Sequence, residues 1–263
     1  MITVPILMYH SISLQASRQF KSFTLSPDLF ASHITYLNEN RYSPLTVSQL
    51  AAALDSNRLQ PLPPRPVVIT FDDGFEDFDR SVLPLLKRYH FAATLYVATG
   101  FVGKTSHWLL PEHEEKRPML NWKQLNEIAA AGIECGAHTH THPHLDNVSL
   151  EVARHEISTS KQVLEDRLGR AVATFAYPYG HYDKTVQHLV REAGFTSACA
   201  VKNALSHDGD DVFGLARIKI SNNTDVPRFA RLLNGNGLAL ASEREPLLTK
   251  GWRWYRRLRQ SYS

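Results

Sequence analysis

Val67-Val68-Ile69-Thr70-Phe71-Asp72-Asp73-Gly74 is the stretch on which the reading of this chain turns. An unbroken apolar, β-branched run stops at two adjacent carboxylates and a glycine. Such a run, bounded by turn residues, reads as a buried strand, and the acids then lie at its C-terminal end. Successive strand side chains point to opposite faces. Both carboxylates therefore reach one place only if the chain bends, and Gly74 permits the bend. Two adjacent acids in a half-buried place repel unless a cation holds one of them. The plain alternative is an acidic turn or a helix cap.

Outward from this run, short apolar segments alternate with amphipathic ones. Strands are predicted at Val4–Tyr9, Val67–Phe71, Ala92–Val97, Ile133–Ala137, Ala173–Tyr177, Thr196–Ala200 and Leu215–Ile220. Helices are predicted at Pro27–Glu39, Val47–Leu54, Phe78–Tyr89, Trp122–Ala131, Leu150–Leu168, Lys184–Ala193 and Val226–Leu233. Phe30, Ile34 and Leu37 recur at helical spacing. Thr46 and Ser149 suit N-caps, and Gly132 and Gly194 suit helix stops. About seven strand–helix repeats predict a parallel sheet covered on both faces. Its form is either a closed barrel or an open doubly wound sheet. In both, chemistry gathers at the carboxyl ends of the strands.

Three more strand ends carry reactive groups. His138-Thr139-His140-Thr141-His142-Pro143-His144 follows the fourth strand. His138 and His142 are four apart, and one helical turn would bring both imidazoles to one side, where they can grip a metal. Two histidines and one carboxylate leave positions open for water, as catalytic metal sites do. Phe175-Ala176-Tyr177-Pro178-Tyr179-Gly180 ends the fifth strand in a rigid turn. That turn is either plain or a groove wall with a backbone N–H aimed at an oxyanion. His10 ends the first strand; alone it would be read as structural.

Composition narrows the classes. The chain has 263 residues, 43% hydrophobic and 21% charged, which fits one large domain or two small ones. Its 29 basic and 26 acidic residues give a net charge of +3, so no nucleic-acid partner is expected. No secretory signal is expected from the opening residues, and no window approaches the ~18 apolar residues of a spanning helix. A cytoplasmic location is expected, with Cys135 and Cys199 reduced. Lys250–Ser263 carries Lys250, Arg253, Arg256, Arg257 and Arg259 among Trp252, Trp254 and Tyr255. It reads as a solvated terminal helix or as a peripheral contact with the cytoplasmic membrane face. Gly100–Leu120 reads as a polar excursion that lids the site. Ala98-Thr99-Gly100-Phe101-Val102-Gly103-Lys104-Thr105 falls one residue short of a phosphate-binding loop, and Pro111 disfavours the helix such a loop must open.

Thr70–Gly74, His138–Pro143 and Pro178–Gly180 resemble, in order and spacing, the first three motifs of the polysaccharide deacetylase family, carbohydrate esterase family 4. The opening Pro5-Ile6-Leu7-Met8-Tyr9-His10 resembles the branch of exopolysaccharide and poly-N-acetylglucosamine deacetylases. The resemblance runs from about residue 3 to residue 234. It implies an α/β fold, a distorted (β/α)7 barrel, as a single catalytic domain over residues 1–234, with a basic aromatic extension over 235–263. It implies one divalent metal ion, zinc first, with cobalt, nickel or manganese as alternatives. By position, Asp73, His138 and His142 would bind the metal, Asp72 would be the general base and His10 the general acid. Tyr179, beside Pro178, would offer its N–H to the oxyanion. The implied reaction is hydrolytic removal of N-acetyl groups from an acetylated carbohydrate, an N-acetylhexosamine polymer or exopolysaccharide precursor. Other outcomes are deacylation or deformylation of a lipid-linked aminosugar or a non-sugar amide, and a silent glycan-binding barrel. One departure stands out. Ala176 replaces the arginine that orients the base in many members, and Arg217, grouped with the substrate-side residues, is the candidate substitute. Trp108 and Trp122 are candidates for lining the sugar groove.

Overall fold

Seven parallel strands wrap into a barrel in the computed structural model, which describes residues 2–54 and 61–240. In barrel order they are β1 (Ile6–Tyr9), β2 (Pro66–Phe71), β3 (Thr94–Val97), β4 (Glu134–Ala137), β5 (Thr174–Ala176), β6 (Ser197–Cys199) and β7 (Ile218–Lys219). The register sets Tyr9 beside Phe71, Phe71 beside Leu95, Val97 beside Ala137 and Ala137 beside Phe175. β7 pairs with β1 through Ile218 and Leu7. The last gap closes just before β7, where Leu215 bridges Cys199 in parallel. One segment, residues 215–219, thus touches β6 at its start and β1 at its end. This is the distorted (β/α)7 barrel, with a single thin seam.

Strand alternation sorts the side chains into two cores. Leu7, Tyr9, Val67, Ile69, Phe71, Leu95, Val97 and Ala137 pack outward against the helices. Ile6, Val68, Tyr96, Ala176, Cys199 and Leu215 point inward, and Val47 and Leu50 of a short helix join them. Tyr96 fills the middle of this inner core; its hydroxyl bonds Thr174 Oγ1 at 2.9 Å and donates to Cys199 Sγ at 3.4 Å. Gly136 is small because a Cβ there would lie 2.5 Å from the Tyr96 ring. Cys135 and Cys199 are free and buried.

The helices are α1 (Pro27–Glu39), α2 (Val47–Leu54), α3 (Leu83–Tyr89), α4 (Trp122–Ala130), α5 (Leu150–Leu168), α6 (Lys184–Glu192) and α7 (Val226–Leu233). Ser26 caps α1 through Leu29 N and Ser149 caps α5 through Val152 N. None is long and apolar enough to cross a membrane, among the described residues. Two expected elements are divided. The predicted strand Val4–Tyr9 splits at Pro5, which lacks an N–H; Thr3–Val4 pair instead antiparallel with Ser206 and His207. The predicted helix Phe78–Tyr89 opens as a five-residue π-helical stretch, Phe78–Val82, before α3. Pro84 cannot donate to the carbonyl of Arg80, and the wider turn accommodates it. Past α7 the chain still pairs, with Ala239–Leu240 parallel to Ala204–Leu205. The basic aromatic tail from Lys250 lies outside the described residues.

α1 and α7 are joined to the barrel by one buried histidine. His33 Nε2 meets the Thr224 carbonyl at 2.8 Å and Nδ1 meets the Tyr9 hydroxyl at 3.1 Å. A carbonyl only accepts, so Nε2 carries the proton and Nδ1 accepts from Tyr9. The ring stacks on Phe229 at 4.0 Å. Burial lowers the His33 pKa to about 4, against the opposing pull of the Thr224 carbonyl and Asp225. Unfolded, it titrates near ~6.5. Stability from this neutral ring is therefore complete above pH 6.5 and is lost as pH falls toward 4. Urea unfolding of the wild type should lose about 1.4 kcal/mol per pH unit more than His33→Gln across that window. Parallel curves for the two proteins would refute a buried neutral His33.

Candidate metal centre and its base

Alternation carries the inner face up to the barrel mouth. In β2, Val68 and Thr70 face inward, and Asp72 continues that phase. The same parity brings His10 from β1, His138 from β4 and Arg217 from β7 to the axis. Asp73 would point outward on an extended strand. It turns back because its own φ is 76° and that of Gly74 is 86°. The bend thus begins one residue earlier than the glycine alone suggests.

Three donor atoms meet at this mouth. His138 Nε2 and His142 Nε2 are 3.2 Å apart, and Asp73 Oδ1 lies 3.5 Å and 3.3 Å from them. All three residues are buried. A tetrahedral ion with ~2.0–2.1 Å bonds has donor-to-donor edges of ~3.3–3.4 Å, so this triangle matches one tetrahedral face. His138 Nδ1 is 2.8 Å from the Ala176 carbonyl, which fixes the proton there and leaves Nε2 free to ligate. Burial lowers the His138 pKa to about 4, against the pull of Asp72. Burial alone would raise the Asp73 carboxyl, but the hydrogen bond and charge of His142, with His10 and His138, hold it at about 2. A neutral imidazole beside an ionised carboxylate is the protonation state that ligation needs. The donor set fits a divalent metal.

Asp72 lies beside this triangle without joining it, its Oδ2 4.0 Å from His138 Nε2. Arg217 grips it with both arms: Nη1 donates to Oδ1 at 2.5 Å and Nη2 to Oδ2 at 2.8 Å. Arg217 is 0% exposed. It donates as well to the Ala200 carbonyl and to Thr70 Oγ1, and its guanidinium lies over the Tyr96 ring. Burial alone would raise the Asp72 carboxyl; Arg217, then His138 and His10, outweigh it and keep it ionised. The guanidinium that Ala176 cannot supply thus arrives from the segment leading into β7, one strand beyond the neighbouring β6. Arg217 lies beneath the site, in contact with Asp72 and not with the groove.

The histidine loop is not the helical turn its spacing predicts. Thr139 and His142 both have positive φ, 65° and 61°. Thr139 Oγ1 accepts from His142 N at 3.0 Å. Glu156 of α5, 6% exposed, accepts from His140 N, Thr141 N and the Thr141 hydroxyl. Residues 99 and 100 donate backbone N–H groups to Thr139 and His140 carbonyls, so the near-phosphate-loop sequence braces this loop. Sequence reasoning missed Glu156; its signal is an acid within the buried stripe Ala153, Ile157, Ser160, Leu164.

The walls are aromatic. The Gly100–Leu120 excursion is no polar flap: Leu109 and Met119 bury with Phe20 and Phe75, with Phe101 and Trp108 against them. Trp108 lies 5.2 Å from the His142 ring. Tyr179, at φ 59° and 42% exposed, also meets the His142 ring, edge-on at 4.8 Å. Pro178 is buried beneath it. Trp122 packs on the outer core under Arg167 and lines a cleft with Thr99, Gly100 and His140 of the histidine loop. His10 is half-buried against Phe23, its Nδ1 buried with no hydrogen-bond partner. Burial lowers its pKa, while Asp73 and Asp72 oppose the change.

Comparison with known proteins agrees with this geometry. A family model described as polysaccharide deacetylase matches residues 60–198, more than half of the chain. The match contains Asp72, Asp73, His138, His142 and Tyr179, but neither His10 nor Arg217. The poly-beta-1,6-N-acetyl-D-glucosamine N-deacetylase of Staphylococcus aureus strain MRSA252 is 25% identical over 215 residues, covering 78% of this chain and 71% of its own. The Streptococcus pyogenes deacetylase PplD, solved in complex with acetate, is 26% identical with a TM-score of 0.77, covering 88% of this chain and 98% of that one. IcaB from Ammonifex degensii shares the fold with a TM-score of 0.73 at 23% identity, covering 88% and 97%. With its motifs gathered at one barrel mouth and a family match across more than half its length, the chain belongs to the polysaccharide deacetylase family.

Proposed function

We propose that the protein is a metal-dependent deacetylase that hydrolyses N-acetyl groups from N-acetylhexosamine units of an exopolysaccharide or its precursor. The observation that carries this reading is the pairing of a closed three-donor triangle with a separately ionised, immobilised carboxylate, Asp72. Asp73, His138 and His142 would hold the ion, zinc by donor type, with cobalt, nickel or manganese also suited. What a bound ion supplies is Lewis acidity toward water and the acyl carbonyl.

The chain's own groups divide the proton work. Asp72 accepts the proton of the attacking water, and Arg217 keeps both of its oxygens aimed and unprotonated until then. The Tyr179 N–H donates to the oxygen that gains charge as the water oxygen bonds to the acyl carbon. His10 hands a proton to the departing amine as the carbon–nitrogen bond breaks, giving acetate and a free amino sugar. Burial disfavours the charged form of His10 at rest, so the proton it delivers to the amine is the one that Asp72 has taken from the water and passed on. Trp108 and the half-exposed Tyr179 ring offer apolar faces to sugar rings. A binding module needs no ionised base, so the Arg217–Asp72 pair disfavours the silent-barrel reading.

Acetate release from N-acetylglucosamine oligomers should disappear on chelation and return with zinc or cobalt. Asp72→Asn should lose at least ~10²-fold in kcat while still binding metal. Turnover unchanged by that substitution would remove Asp72 from the base role. Arg217→Met leaves a buried charge uncompensated and should cost about 3–5 kcal/mol of stability at pH 7. Adding Asp72→Asn to it should recover a large part of the loss. No recovery in the double variant would mean that Arg217 does not serve Asp72.

A further inference from the structure

A second group of donors converges beside the first, on residues the deacetylase chemistry above does not use. His144, Asp146 and His181 each offer one ligand atom, and these atoms all lie within 4.8 Å of one another. His144 and Asp146 belong to the turn after β4, and His181 to the turn after β5. His144 Nδ1 and His181 Nδ1 are 3.3 Å apart, almost the spacing of the two Nε2 atoms in the first group. Their rings are nearly parallel, 5.5 Å between centroids. Asp146 is buried, at 2% exposed. The imidazoles are half-buried, so the group is reachable from solvent.

We propose that His144, Asp146 and His181 form a second divalent-cation site at the groove rim. Two imidazole nitrogens and one carboxylate suit Zn²⁺, Co²⁺ or Ni²⁺ over Mg²⁺ or Ca²⁺. The imidazole pair already has a tetrahedral edge of ~3.3 Å, and the widest pair must close by no more than ~1.5 Å. The ion would tie together the two turns that flank Tyr179. That ring stacks on His144 at 3.7 Å and meets His142 at 4.8 Å, and His181 follows it by two residues. Occupancy of the second site therefore holds the left-handed Tyr179 turn on the wall of the first. The alternative is a histidine–aspartate cluster held by hydrogen bonds alone.

Metal titration of the metal-stripped, tag-free full chain distinguishes these, with Co²⁺ followed by visible absorption and Zn²⁺ by calorimetry. The wild type should take two equivalents. His181→Ala should take one and keep the Co²⁺ spectrum of the first centre, and Asp73→Asn should keep the equivalent that His181→Ala loses. Far-UV circular dichroism of each metal-stripped variant checks its fold, and His181→Gln replaces His181→Ala should that protein not fold. A single wild-type equivalent that Asp73→Asn abolishes, two equivalents in the His181 variant, or loss of both in that variant would each overturn the proposal. The Asp73→Asn arm separates its failure from failure of the primary centre.

Discussion

Two adjacent buried carboxylates at the mouth of a barrel stay ionised only if each faces its own positive or hydrogen-bonding partner. Asp72 has Arg217, held in a two-pronged contact and fully buried. Asp73 has two imidazoles, at 3.3 Å and 3.5 Å. Everything else at the site follows from keeping those two solutions apart. Were Asp72 to share the imidazoles, no separately held carboxylate would remain beside them. Were Asp73 to follow the strand's alternation, it would leave the mouth. The left-handed backbone at Asp73 is what separates the neighbours, and such a conformation persists only where surrounding structure over-determines it.

That surrounding structure is built in layers up the barrel. α2 closes one end with Val47 and Leu50, and the Tyr96 ring fills the next layer. Arg217 lies over that ring and carries Asp72. Loops then close around the top. Glu156 ties the histidine loop to α5, and the backbone after β3 ties it to the neighbouring strand. The backbone of residues 118–120 bonds to residues 74 and 76, so the aromatic wall is anchored next to the carboxylates it shields. A site on so many independent supports is preorganised, which is where electrostatic catalysis gains most.

Much of this was legible in the sequence because it is local. Asp72–Gly74 and His138–His144 each follow an apolar run directly, so strand ends and reactive groups could be read together. Helix α5 matches its prediction residue for residue, Leu150–Leu168, because Ser149 caps it and Gly169 stops it. What stayed hidden depends on distant partners. The histidine loop folds into left-handed turns because Glu156, in the following helix, draws in its amides; spacing alone pointed to a helical turn. The Gly100–Leu120 segment looks polar until Phe20 and Phe75 are set against its apolar minority. Arg217 could be nominated from the sequence, yet its burial under Asp72 depends on the parity of a strand only two residues long. His181 joins His144 and Asp146 across two turns, with no spacing to announce it.

The account rests on Asp73, His138 and His142 sharing one ion. Anomalous diffraction at the zinc edge, from crystals of the zinc-loaded protein, tests this most directly. A peak about 2 Å from Asp73 Oδ1, His138 Nε2 and His142 Nε2, with Asp72 still in the grasp of Arg217, is the predicted result. No peak among those three atoms, or an ion coordinated by Asp72 in place of Asp73, would contradict it.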